Sequence, residues 1–172
     1  SPLLIGRTFS DPEAGIHITP VGKAGTTPES LDVVVQLGAF PGNQPPTVSI
    51  AGSSLAVGAG VAVQWTATAA DPEGDALSYS WDFGDRTFSN TNSPAVSKSW
   101  AAAGDYRVRC VVSDMKGGTA SHSRVVRVGS PGTFTVSGRA LLGGQPLAHV
   151  RIHNGLAGSA YREAYTDSDG SY

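Results

Sequence analysis

The chain has a single cysteine, Cys110, in 172 residues, so no disulfide can form within it. That argues against a small disulfide-stapled module without excluding export. Charge is scarce: 15% of residues are charged and the formal net charge is −2. There is no global pull toward nucleic acid or an anionic bilayer. No apolar run approaches the ~20 residues that a membrane-crossing helix needs, so membrane insertion is not expected. No Gly-x-Ser-x-Gly elbow and no phosphate-cradling glycine loop occurs. The chain opens Ser1-Pro2-Leu3 with neither Met nor signal peptide, and reads as a piece of a larger protein. What it does have is glycine and proline, 22 and 11 residues. That is below the ~25–30% that marks low complexity and suits a turn-rich β protein.

The chain is organised around Trp81-Asp82-Phe83-Gly84-Asp85. Before it, Leu77, Tyr79, Trp81 and Phe83 alternate with Ser78, Ser80 and Asp82, the period of a strand with one buried face. Val61, Val63, Trp65, Ala67 and Ala69 repeat the pattern, as do Tyr106, Val108, Cys110 and Val112. Turn signals recur every ~8–12 residues, the spacing of an all-β sandwich. Trp81 and Phe83 fall on the inward phase, so they are expected in the core, with Asp82 and Asp85 fixing the turn through backbone amides.

The order of these features, with Trp-Asp-Phe-Gly-Asp at its centre, resembles the PKD (polycystic kidney disease) domain over residues 43–129. The resemblance implies an Ig-like β-sandwich and a non-catalytic extracellular role. Such a module spaces neighbouring domains and contacts protein or polysaccharide; the alternative is a substrate-binding module for collagen or polysaccharide. Some PKD domains bind Ca²⁺ where the entering linker meets an acidic turn and the turn between the last two strands. Here those positions carry Asn43, then Asp71, Glu73 and Asp75, then Asp114. Their oxygens suit a hard cation, although turn acids are equally favoured for turn chemistry alone. Calcium is therefore a candidate cofactor if three segments distant in sequence converge.

Residues 1–42 read as the β-rich tail of a preceding domain, too short to be stable alone. Gly6-Arg7-Thr8-Phe9-Ser10-Asp11 followed by Gly15-Ile16-His17-Ile18-Thr19 is similar to the segment after the catalytic domain of gametolysin-like secreted metallopeptidases. That implies a secreted, bacterial metallopeptidase as parent. Residues 130–172 carry Val136-Ser137-Gly138-Arg139, Gly144-Gln145-Pro146-Leu147-Ala148 and Thr166-Asp167-Ser168-Asp169-Gly170-Ser171-Tyr172. They resemble the start of a carboxypeptidase regulatory-like sandwich, expected here to be incomplete. His149 and His153 lie four apart in a β pattern, ~13 Å along a strand, too far to share one zinc. Cys110 shares the phase of core residues and reads as a small buried hydrophobe.

Overall fold

The structure is a computed structural model that describes residues 4–129, 137–153 and 163–172. It divides into two compact units, Ser1–Pro131 and Gly132–Tyr172. All regular structure among the described residues is β.

The first unit opens with β1 (Phe9–Asp11), β2 (Ile16–Thr26) and β3 (Glu29–Leu37), a three-stranded antiparallel sheet in the order β1-β2-β3. A two-sheet sandwich follows. One sheet holds β4 (Thr47–Gly52), β6 (Val63–Ala70) and β8 (Ala95–Lys98) in the order β4-β6-β8. The other holds β5 (Ala56–Val57), β7 (Ser78–Asp82), β9 (Gly104–Ser113) and β10 (Thr119–Val128) in the order β5-β10-β9-β7. The short β5 leaves its sequence neighbour's sheet and pairs parallel with β10. The other pairings are antiparallel, which is the Ig-like arrangement the alternation predicts.

The core forms where the period-two apolar positions of the two sheets meet. Val63, Trp65, Trp81, Val108, Cys110, Val112, Val126 and Val128 are sealed from solvent. Trp100 joins them, stacked on Tyr106 with ring centroids 5.3 Å apart. The Tyr106 hydroxyl donates to the Ala102 carbonyl at 3.0 Å, the bond of a tyrosine corner. Trp81 donates its indole N–H to the Ser93 carbonyl and Trp100 donates its own to the Phe83 carbonyl, so both rings bury without losing a hydrogen bond. Strand β7 lies at a sheet edge, and side chains close that edge. Tyr79 N–H donates to Asn92 Oδ1 and Trp81 N–H donates to Ser89 Oγ.

The alternation in residues 77–83 leads one to expect a solvated face bearing Ser78 and Ser80. The structure buries both serines. The reason is the N-terminal segment, which lies across that face. Ser78 Oγ donates to the Gly6 carbonyl at 3.0 Å, and Thr8 Oγ1 lies 2.7 Å from both Thr19 Oγ1 and Ser113 Oγ. Gly6 is held at φ 78° by a bond from its N–H to the Pro20 carbonyl. A Cβ there would stand 1.9 Å from the Tyr79 carbonyl oxygen.

The second unit, described by itself, contains two small hairpins, β11 (Leu141–Leu142) with β12 (Gln145–Pro146) and β13 (Arg151–His153) with β14 (Glu163–Tyr165). Thr166 is its buried anchor, donating its hydroxyl to the Leu147 carbonyl and accepting from Val150 N–H. The expected linker at 130–132 and the apolar residues 134–136 lie outside the described residues.

The close seat of Gly6 gives a test. Gly6→Ala is expected to cost more than about 2 kcal/mol, because it adds both a backbone clash and a left-handed φ. Thermal unfolding should fall by roughly 10 °C. A melting temperature within one or two degrees of the parent would show that the N-terminal segment adds nothing to the stability of the sandwich.

Candidate functional site

The turn after β6 is built by its first acid. Asp71 Oδ1 accepts from the N–H groups of Glu73 and Asp75, both at 3.0 Å, and Gly74 N–H donates to the Asp71 carbonyl. This fold-back is Asx-turn chemistry, with Gly74 at the left-handed position. Its product is a cluster. One carboxylate oxygen from each of Asp71, Glu73 and Asp75 lies within 4.8 Å of the others.

The turn between β9 and β10 is built by Asp114, which is 1% exposed. Its Oδ1 accepts from Lys116 N–H at 2.7 Å and Gly118 N–H at 2.9 Å. Its Oδ2 accepts from Asn43 Nδ2 at 2.7 Å. The linker thus joins the turn through Asn43, and it joins the acidic cluster through Gln44. Gln44 N–H and Nε2 donate to the two oxygens of Glu73, each at 3.2 Å. The three segments meet at one end of the sandwich. They do not supply five equivalent ligands. Asp71, Glu73 and Asp75 form the cluster, whereas Asn43 and Asp114 are bonded to each other.

Lys116 closes the arrangement. Its ammonium donates to Asp75 Oδ1, and its charge also lies within reach of Asp71 and Asp114. The hydrogen bond to Asp75 raises the ammonium pKa against the cost of desolvation. The same nitrogen lies 5.4 Å from the Phe40 ring centroid. Two buried carboxylate oxygens, Asp71 Oδ2 and Asp75 Oδ2, have no hydrogen-bond partner. A carboxylate oxygen shielded from water with no donor is a costly arrangement. It fits a turn that holds a cation, and an oxygen-only donor set fits a hard one. Sequence reasoning missed Gln44 and the reach of Lys116 to Asp75. Gln-Pro-Pro after Asn43 gave no sign that the Gln44 side chain turns back onto Glu73.

The Trp81 motif lies elsewhere and holds a turn. Asp82 Oδ1 accepts from Gly84 N–H at 2.9 Å, and Asp85 Oδ1 accepts from Thr87 N–H at 3.1 Å. Gly84, at φ 76°, passes so close to β9 that a Cβ would lie 2.8 Å from Arg107 backbone atoms. Lys98 pairs with Asp85 at 2.7 Å and sits over the Phe83 ring. Partial burial pushes the Asp85 carboxyl up. The hydrogen bonds from Lys98 and Thr87 outweigh it and hold the pKa below the ordinary value. Cys110 is sealed in the core, where burial pushes its thiol up to about 12, so it is no nucleophile at neutral pH. His149 and His153 are both exposed, and residues 167–170 form a turn in which Gly170 N–H donates to the Asp167 carbonyl.

Residues 43–128 match the family model of the PKD domain. The chain is 35% identical over 72 residues to the pre-pro-metalloprotease PrtV of Vibrio cholerae, a match covering 42% of this chain and 8% of that protein. The chain therefore spans only a small part of the curated relatives it matches. Among solved structures, the PKD1 domain of Vibrio anguillarum Epp aligns at 32% identity and TM-score 0.44, covering 52% of this chain and 99% of that one. The PKD1 domain of PrtV aligns at 29% identity and TM-score 0.43, covering 50% and 99%.

The Asp85 pair predicts a pH dependence. A carboxyl whose pKa is lower in the folded state adds stability above its unfolded value and loses it as pH falls through the folded one. Lys98→Met should therefore cost on the order of 1 kcal/mol at neutral pH. As pH falls below the ordinary carboxylate range and through the lowered value that Asp85 has in the folded parent, the two melting curves should converge. A gap between parent and variant that persists unchanged at pH 2 would assign the loss to the Lys98 stem on Phe83 instead.

Proposed function

From the premise that the chain belongs to the PKD domain family, we propose that it is a non-catalytic extracellular accessory module of a larger secreted protein, one that fixes the position of its neighbours. The observation that carries this reading is the end where Asn43 and Gln44 bond to Asp114 and Glu73. A Pro-Pro linker tied to two turns of the sandwich cannot swing as a free tether. PrtV, a metalloprotease that carries a PKD domain similar to this one, supports a secreted bacterial peptidase as parent.

Calcium is the cation proposed for the acidic turn. Asp71, Glu73 and Asp75 are the residues that would hold it, and the ion would neutralise a turn that now relies on Lys116. Its effect would be to stiffen the linker end. All three tryptophans are at most 2% exposed, which favours the spacer over a binding module built on an aromatic platform.

Millimolar Ca²⁺ against chelator should raise the melting temperature by roughly 5–10 °C. Asp71→Asn should abolish the rise and Lys116→Met should enlarge it. A parent chain indifferent to Ca²⁺ removes calcium from the reading. Co-sedimentation with insoluble collagen, cellulose and chitin, each with and without Ca²⁺, should show no saturable retention. Retention on one matrix would replace the spacer by a substrate-binding module.

A further inference from the structure

The β1-β2-β3 sheet is turned the opposite way from an ordinary amphipathic layer. Its polar face lies on the sandwich. His17 and Thr19 of β2 are buried, with His17 Nδ1 2.9 Å from Ser10 Oγ and Thr19 in the hydroxyl contact with Thr8. Its apolar face, apart from the buried Pro20 opposite Val33, looks outward. Phe9, Ile18 and Val35 stand in one cross-strand row, and Ile16 and Leu37 stand opposite each other in the next. Along β3, Leu31, Val33, Val35 and Leu37 alternate onto this same face at 47%, 49%, 50% and 70% exposure, and Phe9 is 54% exposed.

Five half-exposed side chains of this size leave an apolar patch on the order of 500 Å², at the upper end of what a monomer tolerates. Such a face needs a cover, and a flat β face is best covered by another apolar layer ~10 Å away. Charge is confined to its ends. Lys23 and Glu29 sit beside each other at 4.0 Å at one end, and Asp11 lies in the Leu37 row at the other.

Two candidates could supply that layer, and area favours the tethered one. Two copies of this chain would bury on the order of 1,000 Å² in total, short of the ~1,200 Å² of a stable complex between free proteins. The same area is ample between segments of one polypeptide, where interfaces of about 600–1,500 Å² suffice because the partner is tethered. The curated relatives are many times longer than this chain, so there is polypeptide to provide it. We propose that the outward face of β1-β2-β3, centred on Phe9, Val33, Val35 and Leu37, is one half of a sheet-on-sheet interface whose other half is an apolar β-layer of the same, longer polypeptide. The inference rests on the reading of the chain as one module of a larger protein. It adds where the neighbour sits and what chemistry it presents.

Thiol labelling tests it, since buried Cys110 is unreactive in the parent. Val33→Cys, and separately Val35→Cys, would be labelled in this chain and in the natural longer protein. Thr91→Cys, in the exposed loop between β7 and β8, serves as control. Labelling at positions 33 and 35 should be on the order of tenfold or more slower in the longer protein, as for any site reached only by local opening. The control should react equally in both. Equal rates at 33 and 35 would overturn the interface. Sedimentation of this chain at the labelling concentration should show monomer; a dimer with both positions protected would make a second copy the cover and equally overturn the proposal. A calcium response that survives equal labelling would sink the docking face alone and spare the spacer.

Discussion

A buried carboxylate governs the end of the sandwich on which the functional reading rests. Asp114 would be costly to bury alone. Two backbone N–H groups and the Asn43 amide satisfy it. Satisfying it fixes the chain around it. Met115 adopts φ 60° and is itself buried, and Gly118 must be glycine, since a Cβ would meet Asp114 Oδ2 at 2.0 Å and Pro45 Cα at 2.9 Å. With the turn so held, Lys116 projects toward the 71–75 turn instead of pairing with the acid two residues before it. One carboxylate therefore sets the linker, the turn and the only counter-charge that the acidic cluster receives among the described residues.

The second constraint is coverage of sheet faces. The β5-β10-β9-β7 sheet packs its inner face on Trp65 and Val63 and its outer face beneath the N-terminal segment. The family match begins at residue 43, yet Ser78 and Ser113 find partners in residues that precede it. The physical unit is larger than the family module. A chain cut at residue 43 would expose serines that the native arrangement keeps dry, though serines tolerate water better than an apolar face would.

Much of the sandwich was legible because its signals are local. Alternation placed Trp65, Trp81 and Val108 inward, and Gly84 with its flanking acids marked the turn. The burial of Ser78 and Ser80 was not legible. Period two says which face a residue is on, and cannot say that a segment seventy residues away will cover the polar one. The acids of the 71–75 turn were visible as a cluster for the same local reason. The Asn43–Asp114 bond depends on topology across 71 residues, and the Gln44–Glu73 bonds on a side-chain reversal that composition does not encode. The outward apolar face of β3 was written in Leu31, Val33, Val35 and Leu37, but its direction was set only when Thr8 and Thr19 took the inner side.

The seat of the N-terminal sheet uses hydroxyls and backbone carbonyls: Thr8, Thr19, Ser113, Ser78 and Gly6. None of these groups carries a net charge. Ionic strength, which screens exposed ion pairs over ~10 Å or less, has little hold on such contacts. The opposite applies at the Lys116–Asp75 end, where charge does the holding. The two ends of the same junction therefore answer to different conditions. In brine the seat and the linker bonds of Asn43 and Gln44 would stay fixed, and only the Lys116–Asp75 pair would weaken, so added salt would free the counter-charge of the acidic turn without unseating the sheet.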